Sequence, residues 1–287
     1  IGGEVESLLE FARSRHPEFA ALRAEAAAAA ERVEPAGALP DPMFRTELRD
    51  ITNEGKDASS NLLPPRIGST RYIFSQSVPW FGKRDLRRDV AGAGADEAQA
   101  RARAGWIELA TRIKLAYAQH HVHLVSIRYA QENLDLMRRV AEISRTRYAS
   151  GFGSQQDALR AQSEIIAMET DLVMLEGESK QTAARIRALL GRPENLTLRP
   201  PEKLRLLPPP AKLEMAELEG RLKANNPQLA ADNARIAGAE KGRDLVERNR
   251  YPDVSFGVAP TQVGKRVAEW ELMLELNIPL QQESRRA

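Results

Sequence analysis

From Arg84 to Ala149 the chain runs for 66 residues without a proline, and Gly92, Gly94 and Gly105 are its only glycines there. Ile113, His120, Ile127, Leu134 and Ala141 recur at heptad spacing, shadowed by Ala110, Tyr117 and Leu124. This pattern is the seam of a coiled coil. A helix of that length spans about 100 Å, more than an ordinary globular domain uses. The segment Ser150-Gly151-Phe152-Gly153-Ser154 has the chemistry to stop it, with Gly151 free to adopt a left-handed C-cap and Ser154 to cap a following helix. That return helix carries a double stripe, Ala158, Ile165 and Leu172 beside Leu159, Ile166 and Val173, and ends at Leu189-Leu190-Gly191-Arg192-Pro193.

Composition agrees with long solvated helices. Charged residues make up 29% of the 287 and aromatic residues 5%, and the mean hydropathy is -0.45. A net charge of +2, with both signs interspersed, gives no case for nucleic acid as a partner. The absence of cysteine excludes disulfides and thiol chemistry within these residues. No apolar run is long enough for a transmembrane helix, which leaves open a β-barrel with individually weak strand signals. The start Ile1-Gly2-Gly3-Glu4 has no basic or apolar leader character, so a signal peptide is expected to have been removed already.

Read in order, residues 1–38 hold a first helix, Ala-rich, interrupted early at His16-Pro17 and closed by Pro35. Residues 39–82 form a first β-hairpin, in which Phe44, Thr46 and Leu48 alternate with Arg45, Glu47 and Arg49. Beyond a polar loop over residues 50–69, Tyr72, Phe74 and Val78 alternate with Arg71, Ser75 and Ser77. The long helical hairpin fills 83–190, and a Pro-rich linker 191–211. A second helix covers 212–250 and a second hairpin 251–280. Its last strand is the clearest, with Trp270, Leu272, Leu274, Leu276 and Ile278 on one face. Glu269, Glu271, Glu275 and Asn277 lie on the other, with Met273 the exception. Residues 281–287 begin another helix.

Two segments share this plan. His16-Pro17 returns as Asn226-Pro227, Pro42 as Pro252, and Val78-Pro79 as Ile278-Pro279. By symmetry a second long helical hairpin of about 100 residues should follow, so the chain reads as an incomplete copy of a longer protein. Strands with Trp and Leu on one face and three Glu on the other suit a barrel with lipid outside and water within. A soluble sheet packed on a core is the general alternative. The proline framing of each hairpin and the long helices feeding it favour the barrel.

The chain resembles the outer-membrane factor (TolC) superfamily. The residues that carry the resemblance are His16-Pro17-Glu18-Phe19 with Asn226-Pro227-Gln228-Leu229, and Val78-Pro79-Trp80-Phe81-Gly82-Lys83-Arg84. Arg147-Tyr148-Ala149-Ser150-Gly151 followed by Ser154 and Asp157, and Ala188-Leu189-Leu190-Gly191-Arg192-Pro193, complete the set. Leu39-Pro40-Asp41-Pro42, Asp50-Ile51-Thr52-Asn53 and Gly68-Ser69-Thr70-Arg71-Tyr72 are similar to the heavy-metal branch (CusC- and CzcC-like). The resemblance implies a mainly α fold with β: a long coiled-coil hairpin as periplasmic tunnel, and hairpins contributing to a trimeric, twelve-stranded outer-membrane barrel. It further implies a passive duct of a tripartite RND-type efflux system for heavy-metal cations. The expected partners are two more copies of the chain, outer-membrane lipid, a periplasmic adaptor and an inner-membrane RND pump. Tyr148, Gly151, Phe152, Gly153, Ser154 and Asp157 would form the tip that meets the adaptor. Family members often carry a lipid anchor on an N-terminal Cys, which these residues lack.

His120 and His123 share a helical face, but His120 also lies on the seam and nothing local completes a metal site, so packing is the simpler account. The Gly-Phe-Gly-Ser turn follows a helix and lacks a placed Lys, unlike a phosphate loop. Arg45, Glu47, Arg71, Glu269, Glu271 and Glu275 would face the barrel lumen. The three Glu either form a cation-attracting ring when tripled or are a plain solvated face. No constellation argues for catalysis, so neither an enzyme nor a cofactor is expected. A periplasmic adaptor and a soluble coiled-coil scaffold stand as alternatives.

Overall fold

The computed structural model describes residues 2–51, 67–191, 198–201 and 214–279. The expectations for the inner part of the first hairpin loop (Thr52, Asn53 and Pro64-Pro65 included), for most of the Pro-rich linker and for 281–287 lie outside the described residues. What is described is mainly helical with one small antiparallel sheet, in agreement with the expected fold class.

The helices are α1 (Val5–Arg15), α2 (Pro17–Glu31), α3 (Val33–Ala36), α4 (Lys83–Ala149), α5 (Gln155–Leu189), α6 (Met215–Asn225) and α7 (Pro227–Arg248). The strands are β1 (Met43–Arg49), β2 (Ser69–Val78), β3 (Asp253–Val263) and β4 (Arg266–Asn277). Helix α4 runs unbroken for 67 residues. The helix expected from residue 212 to 250 is divided at Asn226, because Pro227 has no N–H to continue the ladder. The same break separates α1 from α2. His16 and Asn226 both take extended backbone, with φ/ψ of -70/122 and -74/112. Each donates its N–H to the carbonyl four residues back, Ala12 and Leu222. The sequence repeat is therefore also a geometric one. Pro35 falls inside α3 and does not close the first helix, and the chain leaves helical structure at Gly37.

The chain divides into two compact units, one of residues 1–24 and 101–227, the other of 25–100 and 228–287. The first is helical. Its core gathers Leu8 and Ala12 from α1, Ile113, Ala116 and Tyr117 from α4, and Ile186 and Leu190 from the end of α5. Leu8, Ile113, Ile186 and Leu190 are fully buried, each worth roughly 1.5–3 kcal/mol in burial. Tyr117 keeps its hydroxyl satisfied by donating to the Gly3 carbonyl at 2.7 Å. Trp106 packs on Phe19 with ring centroids 5.1 Å apart. The expected seam is formed in part: Ala110, Ile113, Tyr117, His120 and Leu134 are buried, whereas Leu124, Ile127 and Ala141 are half-buried.

The second unit holds the sheet, ordered β1-β2-β3-β4 with every neighbouring pair antiparallel. Phe44 lies opposite Phe74, Phe74 opposite Val258, and Val258 opposite Leu272, so one apolar row crosses all four strands. Pro260 sits in β3 opposite Trp270 of β4. No Cα pairing with β2 is formed at Pro260, which has no N–H to donate. Among the described residues no helix is long and apolar enough to cross a membrane.

Candidate functional site

The sheet has two chemically opposite faces, and side-chain alternation fixes which residue lies on which. One carries Phe44, Phe74, Phe256, Trp270, Leu272, Leu274 and Leu276. They are between 49% and 90% exposed, Leu272 the most. Phe44 stacks on Tyr72 with centroids 6.4 Å apart, but among the described residues no layer covers these side chains. An apolar row of this extent is a surface built to meet something other than water.

The opposite face is polar and knit together by Arg71, whose side chain is 16% exposed. Its guanidinium forms an ion pair with Glu271 across two strands, and another with Glu47 at 3.9 Å. Arg45 and Arg49 also reach Glu47, at 3.9 and 3.6 Å. Met273, the break in the sequence alternation, fits this face because its sulfur lies 3.9 Å from Arg71 Nη2. Four of the six expected polar-face residues, Arg45, Glu47, Arg71 and Glu271, thus form one network. Glu269 and Glu275 share the face, exposed and without an ion pair among the described residues.

Where β2 gives way to α4, the sequence Pro79-Trp80-Phe81-Gly82-Lys83 builds a lock. Gly82 takes φ +81, a conformation that suits glycine. Lys83, 3% exposed, donates to the Tyr251 carbonyl at 2.8 Å and pairs with Asp253 at 2.8 Å. The same Asp253 oxygen accepts from the Trp80 N–H at 2.9 Å, and Trp80 stacks on Tyr251 with an interplanar angle of 7°. Sequence reading named the first half of this lock and missed Tyr251 and Asp253. The only local signal was that Pro252 lies between them.

The turn joining α4 to α5 is a Schellman motif. Gly151 has φ +77, its N–H bonds the Tyr148 carbonyl at 3.0 Å, and the Phe152 N–H bonds that of Arg147 at 2.9 Å. Ser154 then caps α5, accepting from the Asp157 N–H at 3.1 Å. In such a motif the side chain after the glycine usually packs back on the helix. Here Phe152 is instead 80% exposed, beside a half-exposed Tyr148. All six expected tip residues are brought together.

Away from the tip, Leu115, Val122, Tyr129, Leu136 and Ile143 make a second heptad row on α4, each 54–60% exposed. Sequence reading missed it. On α5 the double stripe separates, with Leu159, Ile166 and Val173 exposed and Ala158, Ile165 and Leu172 half-buried. His123 pairs with Glu178 at 3.3 Å. Burial pushes the pKa of buried His120 down, helped by the charges of His123 and Arg187. Among the described residues no three His, Asp or Glu are placed to share a metal ion.

A family model described as "Outer membrane efflux protein" matches residues 8–192. The pyoverdine export outer membrane protein OpmQ of Pseudomonas putida is 26% identical over 272 residues, covering 89% of this chain and 56% of that protein. The outer-membrane channel OprN superposes with a TM-score of 0.75 at 20% identity, over 98% of this chain and 65% of that one. CusC does so with 0.75 at 15%, over 100% and 68%. VceC of Vibrio cholerae gives 0.73 at 16%, over 98% and 71%. The chain thus spans little more than half the length of the curated relative it matches.

Proposed function

Because the chain belongs to the outer membrane efflux protein family, we propose that it forms the barrel and tunnel parts of a passive outer-membrane duct in a tripartite efflux system. The observation that carries this reading is the uncovered apolar row from Phe44 to Leu272 on a sheet whose other face is charged. Such a sheet is stable where lipid meets one face and water the other. A periplasmic adaptor or a soluble coiled-coil scaffold has no need of it.

On this reading the sheet of four strands is one third of a twelve-stranded barrel closed by three copies, which removes both open edges. The α4–α5 hairpin lines a periplasmic tunnel, and the exposed heptad row from Leu115 to Ile143 supplies a face for further helices. The tip from Tyr148 to Asp157, with Phe152 uncovered, docks a periplasmic adaptor that links the duct to an inner-membrane RND pump. The duct carries no chemistry or cofactor of its own, and the pump supplies energy. Arg45, Glu47, Arg71, Glu269, Glu271 and Glu275 face the lumen. For cargo, the resemblance of residues 39–42, 50–53 and 68–72 to the heavy-metal branch supports metal cations. A second reading, pyoverdine or a molecule like it, is favoured by the 26% identity to a pyoverdine export outer membrane protein.

The test is the native mass of the whole protein extracted from membranes, in detergent and after detergent removal. A trimer that requires detergent is expected, and a detergent-indifferent monomer overturns the duct. Deletion of the encoding gene then separates the cargoes. Sensitisation to divalent metals supports the first, and intracellular retention of pyoverdine supports the second.

A further inference from the structure

The sheet ends on two open edges, β1 and β4, neither paired with another strand among the described residues. Their polar faces differ in charge. On β1, Arg45 and Arg49 share Glu47 with Arg71, leaving positive charge in excess. On β4, Glu269 and Glu275 have no ion pair among the described residues. Arg45 and Arg49 are 62% and 58% exposed, available to a neighbour.

The repeat says how such edges would meet. The junction Val78-Pro79 after β2 recurs 200 residues on as Ile278-Pro279 after β4, and Pro252 before β3 stands 210 residues after Pro42 before β1. β4 is therefore the counterpart of β2, and β1 that of β3. Observed β2–β3 pairs are Val78 with Val254, Ser77 with Ser255, Gln76 with Phe256, Ser75 with Gly257 and Phe74 with Val258. Carried over by the two offsets, they become Ile278 with Phe44, Asn277 with Arg45, Leu276 with Thr46, Glu275 with Glu47 and Leu274 with Leu48. A one-residue slip would put apolar side chains opposite polar ones. Instead every apolar-face residue meets an apolar-face residue, and every polar-face residue a polar one.

We infer that β4 of one copy pairs antiparallel with β1 of the next in this register, with Glu275 held diagonally between Arg45 and Arg49 of the neighbouring copy. Diagonal neighbours on one face lie about 7–8 Å apart at Cα, within reach of these long side chains. Glu47 stands directly opposite Glu275, but three arginines already surround it. The opposite charges of the two edges favour the heterologous contact over β1 on β1 or β4 on β4. Charge alone would also accept a slip of two residues; the repeat selects one register.

The inference rests on the duct reading, and its test separates the two. These 287 residues contain no cysteine, so paired cysteines can be introduced among them in the whole protein, oxidised in its native membrane and compared with the unsubstituted protein as control. Leu48→Cys is combined with Leu274→Cys, or with the two-residue slips Leu272→Cys and Leu276→Cys. Arg49→Cys with Met273→Cys covers the neighbouring pair, because opposite positions alternate in spacing and one of two suits a disulfide. The expected result is a shift of the denaturing-gel band from one-protomer to two- and three-protomer mass at one or both in-register pairs, with neither slip linking. A detergent-stable trimer that links best at a slipped pair, or at no pair, overturns the register and leaves the duct. A monomer in detergent overturns both. As an independent arm, Glu275→Arg should lower the temperature at which the trimer dissociates, and Arg45→Glu with Arg49→Glu should restore it. No change on Glu275→Arg removes the ion-pair part of the inference.

Discussion

Leu8, Ile113, Ile186 and Leu190 in the helical unit are 0–1% exposed, whereas Leu272, Trp270 and Phe44 in the sheet unit are 66–90% exposed. Both units are built from strict apolar periodicity, 3.5 in one and 2 in the other. The difference lies in where the partner surface comes from. Helix α4 meets α1 and α5 of the same chain, so one of its seams closes within the unit. The sheet's apolar row is left exposed among the described residues of its unit. The helical unit also shows both behaviours within one element, since the Ile113 row of α4 is buried or half-buried and the Leu115 row is exposed. Amphipathic periodicity thus specifies that a face is to be covered, and it does not specify by what.

The contrast can be broken at three points, in descending order of expected effect. Ile113→Ala removes a side chain with no exposed surface and should cost about 2–5 kcal/mol in stability. A chemical-denaturation midpoint read on the helical signal would report it, and a loss below about 1 kcal/mol would mean that the seam is loosely packed. Leu272→Arg should leave the helical signal intact but destabilise the membrane-embedded state by about 2–4 kcal/mol, the depth-dependent cost of a cation on a lipid-facing strand. Refolding yield into lipid vesicles measures this, and an unchanged yield would put Leu272 in water.

The smallest effect concerns His120, buried on the α4 seam beside His123 and Arg187, with no hydrogen-bond partner for its Nδ1 among the described residues. Its pKa is lowered in the folded chain, first by burial and then by those two charges. The unfolded chain therefore takes up the proton at about pH 6.5 while the folded chain still resists it. Stability from this group is complete above about pH 6.5 and falls as pH drops toward the lowered folded value. The thermal midpoint should accordingly decline through that window, and His120→Gln should flatten the decline. An equal decline in both proteins would assign it to other groups.

Most elements of the fold follow from local chemistry that a sequence displays. Helix α4 is legible because 66 residues pass without a proline, and its end because Gly151 and Ser154 are the residues that stop one helix and start another. The strands are legible because Trp270 to Leu276 alternate with Glu269 to Glu275. The division at Asn226 is legible in Pro227, which repeats the break at His16-Pro17 against a flanking pattern that reads as continuous helix.

What the tertiary structure alone decided are the pairings between distant residues. Asp253 closes on Lys83 from 170 positions away, and Glu271 on Arg71 from 200. No local periodicity carries that information, because ion pairs need only complementary charge at a place that folding chooses. Exposure is decided in the same way. The Ile113 and Leu115 rows are alike as sequence, and only the docking of α1 and α5 against one of them makes it core. A period is a property of one segment, whereas burial is a property of what lies against it.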